Sequence, residues 1–231
     1  MPFARRNRRR FALAVLALGA VAFGYVRYTG NFGTVAPGRV YRSGQLSAGA
    51  LAKTVRALGV KTVLNLRGPN PDRAWYREEL AATTAAGATQ VDFAMSSSEW
   101  LSRSQLRALV RTLDSAEYPV LIHCEWGSER TGLVSAVSEL LRPGGRLADA
   151  ENQFTIRHMF LRVKDGKVMA EHLDEYAAWL ARNEWGHSPS RFRAWADGGY
   201  VPRGATREDW PYNPYPLVSV TRPERPTAAR R

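Results

Sequence analysis

The residues with the clearest chemical potential lie in one short stretch, residues 123–132, which reads His-Cys-Glu-Trp-Gly-Ser-Glu-Arg-Thr-Gly. It contains Cys124, the only cysteine of the 231-residue chain, and Arg130 six residues later. The apolar run before it predicts a strand over residues 118–123, and the helical pattern after it predicts a helix over residues 131–142. Backbone N–H groups of a loop at a helix N-terminus converge on an anion. The stretch is therefore predicted to bind phosphate.

A cysteine in this setting is suited to nucleophilic attack. Thiols at helix N-termini beside cations have pKa values of roughly 3.5 to 7.5, compared with about 8.5 for a free thiol, so Cys124 is predicted to be a thiolate at neutral pH. The planar guanidinium of Arg130 can bind two phosphate oxygens at once. Thr131 is placed to donate a hydrogen bond to the thiolate as it leaves. Gly127 and Gly132 permit the tight turn and close helix packing.

The other loop residues have supporting roles in this prediction. His123 is expected to fix the geometry of the cysteine through hydrogen bonding rather than to act as an acid or base. A buried structural cysteine would need neither an arginine at this spacing nor the two glycines. The predicted phosphate-binding residues are Glu125, Trp126, Gly127, Ser128, Glu129 and Arg130.

The pattern His-Cys-x5-Arg-Thr-Gly resembles the signature of the cysteine-based protein tyrosine and dual-specificity phosphatases. Residues 40–45 and 60–67, with a helix-like segment between them, resemble the N-terminal half of compact dual-specificity-like phosphatases of bacteria. The resemblance covers about residues 38–185. It implies that Cys124 attacks phosphorus and that water then hydrolyses a phosphocysteine, with no cofactor.

The resemblance also implies an aspartate on a separate loop that protonates the leaving oxygen. Asp92 is the preferred candidate because it lies 32 residues before Cys124, although it falls in a predicted strand. Glu99 is the alternative, since it follows that strand in a polar loop of the kind that carries movable acids. Glu129, at a position where many relatives carry an aspartate, is a third candidate that could instead orient the attacking water. Arg42 and Arg67 could line the cleft or be ordinary rim charges, and a structural role is preferred for both.

Strands and helices alternate through the middle of the chain, which predicts an α/β sandwich with a central, mostly parallel sheet flanked by helices. Besides the strand and helix around the loop, strands are predicted at 62–66 and 90–93, and helices at 74–86, 103–116, 147–160 and 169–185. Three units are expected: a signal peptide or membrane anchor over residues 1–30 that forms an N-terminal apolar helix, a catalytic domain over 31–185, and an irregular extension over 186–231. Aromatic residues of the extension are expected to strap onto the domain: Trp195, Tyr200, Trp210, Tyr212 and Tyr215.

The N-terminal segment combines five arginines within residues 5–10 with an uncharged apolar run of 16 residues, 11–26. The run is shorter than the ~20 residues of a spanning helix and longer than the roughly 7 to 15 of a signal-peptide core, so both interpretations stay open. Arginines before such a segment remain in the cytoplasm. The catalytic domain is therefore predicted to be extracytoplasmic, in the periplasm, either anchored to the inner membrane or exported.

The net charge of +12 is concentrated at the two ends of the chain, with +5 in residues 1–10 and +4 in residues 186–231. This distribution favours a membrane surface and solvated segments over a nucleic-acid partner. The four histidines share no metal-ligand spacing with cysteine or carboxylates, so no metal site is predicted. The expected substrate is a phosphorylated protein or a lipid, sugar or other small-molecule phosphate.

Two other classes of function fit part of the pattern. A phosphate-binding pseudophosphatase or tethered interaction module would keep the loop and lack a competent acid. Vanadate-sensitive hydrolysis of an aryl phosphate distinguishes it from an enzyme, because a good leaving group does not need the acid. A thiol transferase of the rhodanese kind has a similar cysteine loop, and the Arg-Thr-Gly ending argues against it.

Overall fold

The structure, a computed structural model, describes residues 2–163, 166–206 and 216–223. Its strands are β1 Gly33–Ala36, β2 Val40–Ser43, β3 Thr62–Asn65, β4 Thr89–Phe93, β5 Val120–His123 and β6 Val218–Thr221. Its α-helices are α1 Pro2–Tyr28, α2 Ala48–Leu58, α3 Ala74–Ala85, α4 Arg103–Ser115, α5 Glu129–Leu141, α6 Leu147–Glu151, α7 Lys167–Arg182 and α8 Pro189–Ala194. The predicted α/β class is confirmed, as are the predicted strands and all predicted helices except the one at 147–160.

The six strands form one sheet in the order β1-β2-β5-β3-β4-β6. The four inner strands run parallel, whereas β1 and β6 are antiparallel to their neighbours. The sheet is therefore mixed, and the prediction of a mostly parallel sheet is corrected at its edges. A short turn joins β1 to β2, which only an antiparallel pair permits, and the C-terminal extension supplies β6.

Helices cover both faces of the inner strands. On one face α4, α5 and α7 enclose the larger apolar core, and on the other α2 and α3 cover a smaller core. The side chains on both faces of β5 are therefore buried, which explains why this strand is a continuous apolar run in the sequence. The register places His123, the last residue of β5, beside Ser43 of β2 and Asn65 of β3. The carboxyl ends of β2, β5 and β3 thus lie side by side, and the loop from β5 to α5 begins there.

The predicted N-terminal helix is present as α1, but within the described residues no helix is long and apolar enough to cross a membrane. One helix prediction differs from the structure. The helix predicted over residues 147–160 ends at Glu151 and is followed by a short 3-10 turn at Ile156–His158. The carbonyl oxygen of Gln153 accepts a hydrogen bond from Arg42, so that carbonyl serves a tertiary contact instead of a continuing helix.

The C-terminal extension is more ordered than predicted. It contains α8, a π-helical turn at Trp195–Gly199 and strand β6. Ser188 caps α8 and Pro189 occupies its first turn, a local signal for a helix start. Trp195 and Tyr200 are buried in the larger core, which confirms the expected strapping for these two residues. Trp210, Tyr212 and Tyr215 lie outside the described residues, and the three-unit division of the chain stays a prediction.

Candidate active site

The loop between β5 and α5 is held tightly against the end of β2. Gly127 has a φ of +71°, and a Cβ atom there would lie 2.6 Å from the backbone nitrogen of Gly44. Only glycine fits this left-handed and crowded position. The Gln45 N–H donates to the carbonyl oxygen of Glu125 at 3.0 Å, and the Asn31 side chain donates to that of Trp126 at 2.8 Å. These contacts shape the loop before any ligand binds.

Cys124 lies at the bottom of this loop and is only 1% exposed. The backbone N–H of Gly127 points at its sulfur, with 3.3 Å between nitrogen and Sγ. Burial by itself would raise the pKa of the Cys124 thiol, but the charge of Arg130 and hydrogen bonds from Thr131 and Gly127 outweigh it. The pKa is therefore lowered from its ordinary value, which favours the thiolate.

Arg130 reaches from the first turn of α5 across the ends of the neighbouring strands. Its Nη1 lies 3.4 Å from the carbonyl oxygen of Leu66, after β3, and 3.5 Å from that of Met95, after β4. Its Nε is buried and has no hydrogen-bond partner among the described residues. The hydroxyl of Ser128 is likewise buried and unpartnered within that part of the chain. Arg130 and Ser128 thus keep donors free for an anion with several acceptor oxygens.

A buried ion pair involves the residue that precedes Cys124. The Nε2 atom of His123 is 3.2 Å from Oε1 of Glu79, a residue of α3, and both side chains are almost fully buried. Burial lowers the pKa of His123, but the carboxylate of Glu79 outweighs it, so that the pKa is raised overall. The contact of His123 with the cysteine itself is through Nδ1, which lies 3.4 Å from the carbonyl oxygen of Cys124.

Two further arginines border the loop. Arg42 is fully buried and donates from Nη2 to the carbonyl oxygen of Gly127 at 2.8 Å. Arg67 lies over the ring of Trp75, 3.7 Å from its centroid, and its Nη2 is 3.7 Å from a carboxylate oxygen of Glu125. Arg42 thus has a structural contact to the loop, and Arg67 is a rim charge with an aromatic support.

The three candidate acids occupy different environments. Asp92 is fully buried in β4, where it accepts hydrogen bonds from Asn65 at 2.8 Å and Tyr76 at 2.6 Å. Glu99 is partly buried in the loop that follows Met95, and its Oε2 has no hydrogen-bond partner among the described residues. Glu129 is partly buried beside Gly166 at the start of α7.

The model of the tyrosine phosphatase family matches residues 23–142, which is just over half of the chain and includes the whole loop. The chain belongs to the tyrosine phosphatase family. Comparison with curated proteins gives no match. Among solved structures, the chain is similar to TpbA of P. aeruginosa, with 23% identity, 63% of this chain and 84% of that chain covered, and a TM-score of 0.50. It is also similar to the catalytic core of the PP-IP phosphatase SIW14 of S. cerevisiae, with 23% identity, coverage of 67% and 93%, and a TM-score of 0.49.

In this member of the tyrosine phosphatase family, the structure brings most predicted site residues together around the loop. Asp92 lies one strand farther from the loop, because β3 stands between β4 and β5, and its carboxylate accepts hydrogen bonds from Asn65 and Tyr76. Glu79 was missed by sequence reasoning. Its signal was weak: it shares the buried face of α3 with Tyr76 and Thr83, so a carboxylate appears at an inward position of the helical pattern.

Proposed function

We propose that this chain is a cysteine-dependent phosphatase that hydrolyses phosphomonoesters through a phosphocysteine intermediate. Membership of the tyrosine phosphatase family supports phosphatase activity. The observation that carries the proposed mechanism is the geometry of the loop: the Gly127 N–H points at the buried sulfur of Cys124 at 3.3 Å, and Arg130 lies in the first turn of the helix that follows. A thiolate and a guanidinium at this spacing supply the nucleophile and the charge that stabilises the transferred phosphoryl group.

In the first step the thiolate of Cys124 attacks phosphorus, the S–P bond forms and the bond from phosphorus to the leaving oxygen breaks. Arg130 and the loop N–H groups bind the non-bridging oxygens, and a carboxylic acid gives its proton to the leaving oxygen. In the second step water attacks phosphorus, the S–P bond breaks and the same carboxylate takes the proton of the water. The hydroxyl of Thr131 donates a hydrogen bond to the departing thiolate, a role that fits its effect on the pKa of Cys124.

We propose Glu99 as the acid in preference to Asp92. Both oxygens of Asp92 already accept hydrogen bonds, from Asn65 of β3 and Tyr76 of α3. Glu99 lies in the loop after Met95, whose carbonyl oxygen is beside Arg130, and its Oε2 accepts no hydrogen bond from the described residues. Glu99→Gln is expected to slow hydrolysis of alkyl phosphates by about 100-fold while changing p-nitrophenyl phosphate hydrolysis far less. The same comparison with Asp92→Asn and Glu129→Gln identifies the acid, since only its loss discriminates between leaving groups.

Steady-state hydrolysis of p-nitrophenyl phosphate by the full chain, without added metal, tests the function. Activity that vanadate inhibits and that Cys124→Ser abolishes is the expected result. A folded wild-type chain that binds vanadate without hydrolysing the ester would instead be a phosphate-binding pseudophosphatase. Phosphotyrosine peptides, lipid phosphates and sugar phosphates compared by kcat/KM then separate the proposed substrate classes.

We also propose that the N-terminal segment anchors the chain in the inner membrane or exports it to the periplasm. Five arginines followed by an apolar run support this orientation. A reporter that is active only outside the cytoplasm, fused after residue 231, is expected to be active. Replacing the five arginines with glutamate should abolish that activity, and a reporter silent in the wild-type fusion would exclude the proposal.

A further inference from the structure

Glu79 is a carboxylate at a place where helices usually carry apolar side chains. It lies on the inward face of α3 and is only 2% exposed. Its Oε1 accepts a hydrogen bond from Gln90 at 2.8 Å, and its Oε2 accepts one from Gln45. An ionised carboxylate accepts hydrogen bonds and donates none, so these contacts suit the charged form. Although burial acts to raise the pKa of Glu79, His123 and these hydrogen bonds lower it overall.

A buried carboxylate needs a counter-charge, and the ring of His123 is placed to supply it. Nε2 of His123 faces Glu79 at 3.2 Å, while Nδ1 lies 3.4 Å from the carbonyl oxygen of Cys124. Both neighbouring atoms are acceptors. A neutral imidazole carries a proton on only one ring nitrogen, whereas the imidazolium carries one on each. The two contacts together therefore select the cation.

Other charged groups surround this pair from every side. Arg42 of β2 and Arg130 of α5 interact electrostatically with Cys124, and Arg67 after β3 interacts with both Glu79 and Cys124. Asp92 of β4 lies close enough to Glu79 to be affected by its charge. Among the described residues, the carboxylate at ion-pair distance from His123 is that of Glu79.

We propose that Glu79 is a positioning residue of the catalytic loop: it holds His123 as an imidazolium against the backbone of Cys124 and so favours the thiolate. This inference deepens the proposed function, since it rests on Cys124 being the nucleophile. Glu79 acts only through His123. It also connects the pair to the cleft, because Gln45, which binds Glu79, accepts a hydrogen bond from Arg67 at 2.9 Å.

The test is the pH dependence of Cys124 alkylation by iodoacetamide in the full chain, followed by mass spectrometry. Glu79→Gln removes the charge at nearly constant shape, and the alkylation midpoint is expected to move upward by about one pH unit, equivalent to about tenfold less thiolate below the midpoint. Glu79→Asp keeps the charge, so its alkylation midpoint should lie between those of the wild-type chain and Glu79→Gln. His123→Gln should give a similar upward shift, and adding Glu79→Gln to it should change the midpoint no further.

Glu139→Gln is the matched control. Glu139 is also a buried carboxylate, on α5, and pairs with Arg142 at 2.6 Å. Both Gln variants should lower the melting temperature, but only Glu79→Gln should move the alkylation midpoint. An unshifted midpoint in folded Glu79→Gln, or an equal shift in Glu139→Gln, would overturn the inference. Should Glu79→Gln fail to fold, the midpoint of His123→Gln decides in its place, and an unchanged value there overturns it.

Alkylation does not require phosphatase activity, so the two proposals fail separately. A wild-type chain that hydrolyses no phosphate ester but shows the expected midpoint shifts would contradict the proposed function and support the role of Glu79. A hydrolytically active chain with unshifted midpoints would do the reverse.

Discussion

The guanidinium of Arg42 donates a hydrogen bond to the carbonyl oxygen of Gly127, 2.8 Å away, inside the protein. Its other terminal nitrogen donates to the carbonyl oxygen of Gln153 at 2.8 Å. Burial lowers the pKa of Arg42 to about 10, so the side chain remains a cation at neutral pH. Arg42 thus joins the loop between β5 and α5 to the chain after α6 and adds positive charge near Cys124.

Arg42→Lys should destabilise the protein and weaken anion binding. A single ammonium cannot reach both carbonyl groups in the same geometry, and a buried acceptor left without a donor costs about 1 to 3 kcal/mol. We expect a lower free energy of unfolding in urea and a higher inhibition constant for inorganic phosphate. Arg39→Lys is the control, because Arg39 lies over the ring of Tyr118 at the surface and should change stability by less than about 0.5 kcal/mol. Equal effects of the two substitutions would contradict this role of Arg42 in joining Gly127 to Gln153.

The loop at residues 123–132 was predictable because the residues that identify it are neighbours in the sequence. Cys124 and Arg130 lie within one ten-residue stretch, and the strand before it and the helix after it have clear periodic patterns. Strands β3 and β5 were predictable for a related reason, since burial on both faces favours short apolar runs. Their order in the sheet carries no comparable local signal.

The remaining features depend on contacts between distant parts of the chain. β6 pairs with β4 across more than half of the sequence, and four alternating residues are too weak a signal to place it. Asp92 had a suitable spacing from Cys124, but its burial depends on α3, which packs against β4 and brings Tyr76 to its carboxylate. The partnership of Glu79 with His123 depends on how α3 packs on the sheet, which no local pattern encodes.

Arg130→Met should raise the alkylation midpoint of Cys124. Burial raises the pKa of this thiol and Arg130 is the largest opposing influence, so its loss leaves burial dominant. In the wild-type chain the folded pKa is below the unfolded value of about 8.5, so the thiolate stabilises the fold fully above that pH and loses this effect as the pH falls through the folded pKa. Urea unfolding at several pH values should show this dependence lost or reversed in the variant, since a thiol with a raised folded pKa loses stability as the pH rises.

Arg67→Met is the control for that comparison. Arg67 also interacts with Cys124, but it does so from the partly exposed rim. A smaller rise in the midpoint is expected, and a rise as large as that of Arg130→Met would mean that overall charge, not the loop arginine, determines the thiolate.

Tyr76→Phe should destabilise the protein more at pH 7 than at pH 4. Burial raises the pKa of Asp92, and the hydrogen bond from Tyr76 opposes that rise. Without it the folded pKa rises further above the unfolded value of about 3.9, so the ionised carboxylate costs more at neutral pH and the difference fades on acidification. The loss at pH 7 should be about 1 to 3 kcal/mol in urea unfolding.

Tyr118→Phe provides a control with an uncharged acceptor. The Tyr118 hydroxyl donates to the carbonyl oxygen of Leu113 at 2.8 Å. Its removal should cost a similar amount at both pH values, because no carboxylate titrates at that contact. A pH-independent loss in Tyr76→Phe as well would show that Asp92 is already neutral at pH 7.

Trp195→Ala should show that the C-terminal extension belongs to the folding unit. Trp195 is only 2% exposed. Its ring centroid lies 5.1 to 5.5 Å from those of Tyr176 on α7, Phe192 on α8 and Tyr200, and the rings of Tyr176 and Phe192 are 5.0 Å apart. Truncating a buried tryptophan to alanine costs about 3 to 5 kcal/mol, since it leaves a cavity. Trp185→Ala, at a site that is 44% exposed, should cost much less. A single unfolding transition displaced only by Trp195→Ala is expected, whereas a separate early transition would mean that the extension unfolds independently.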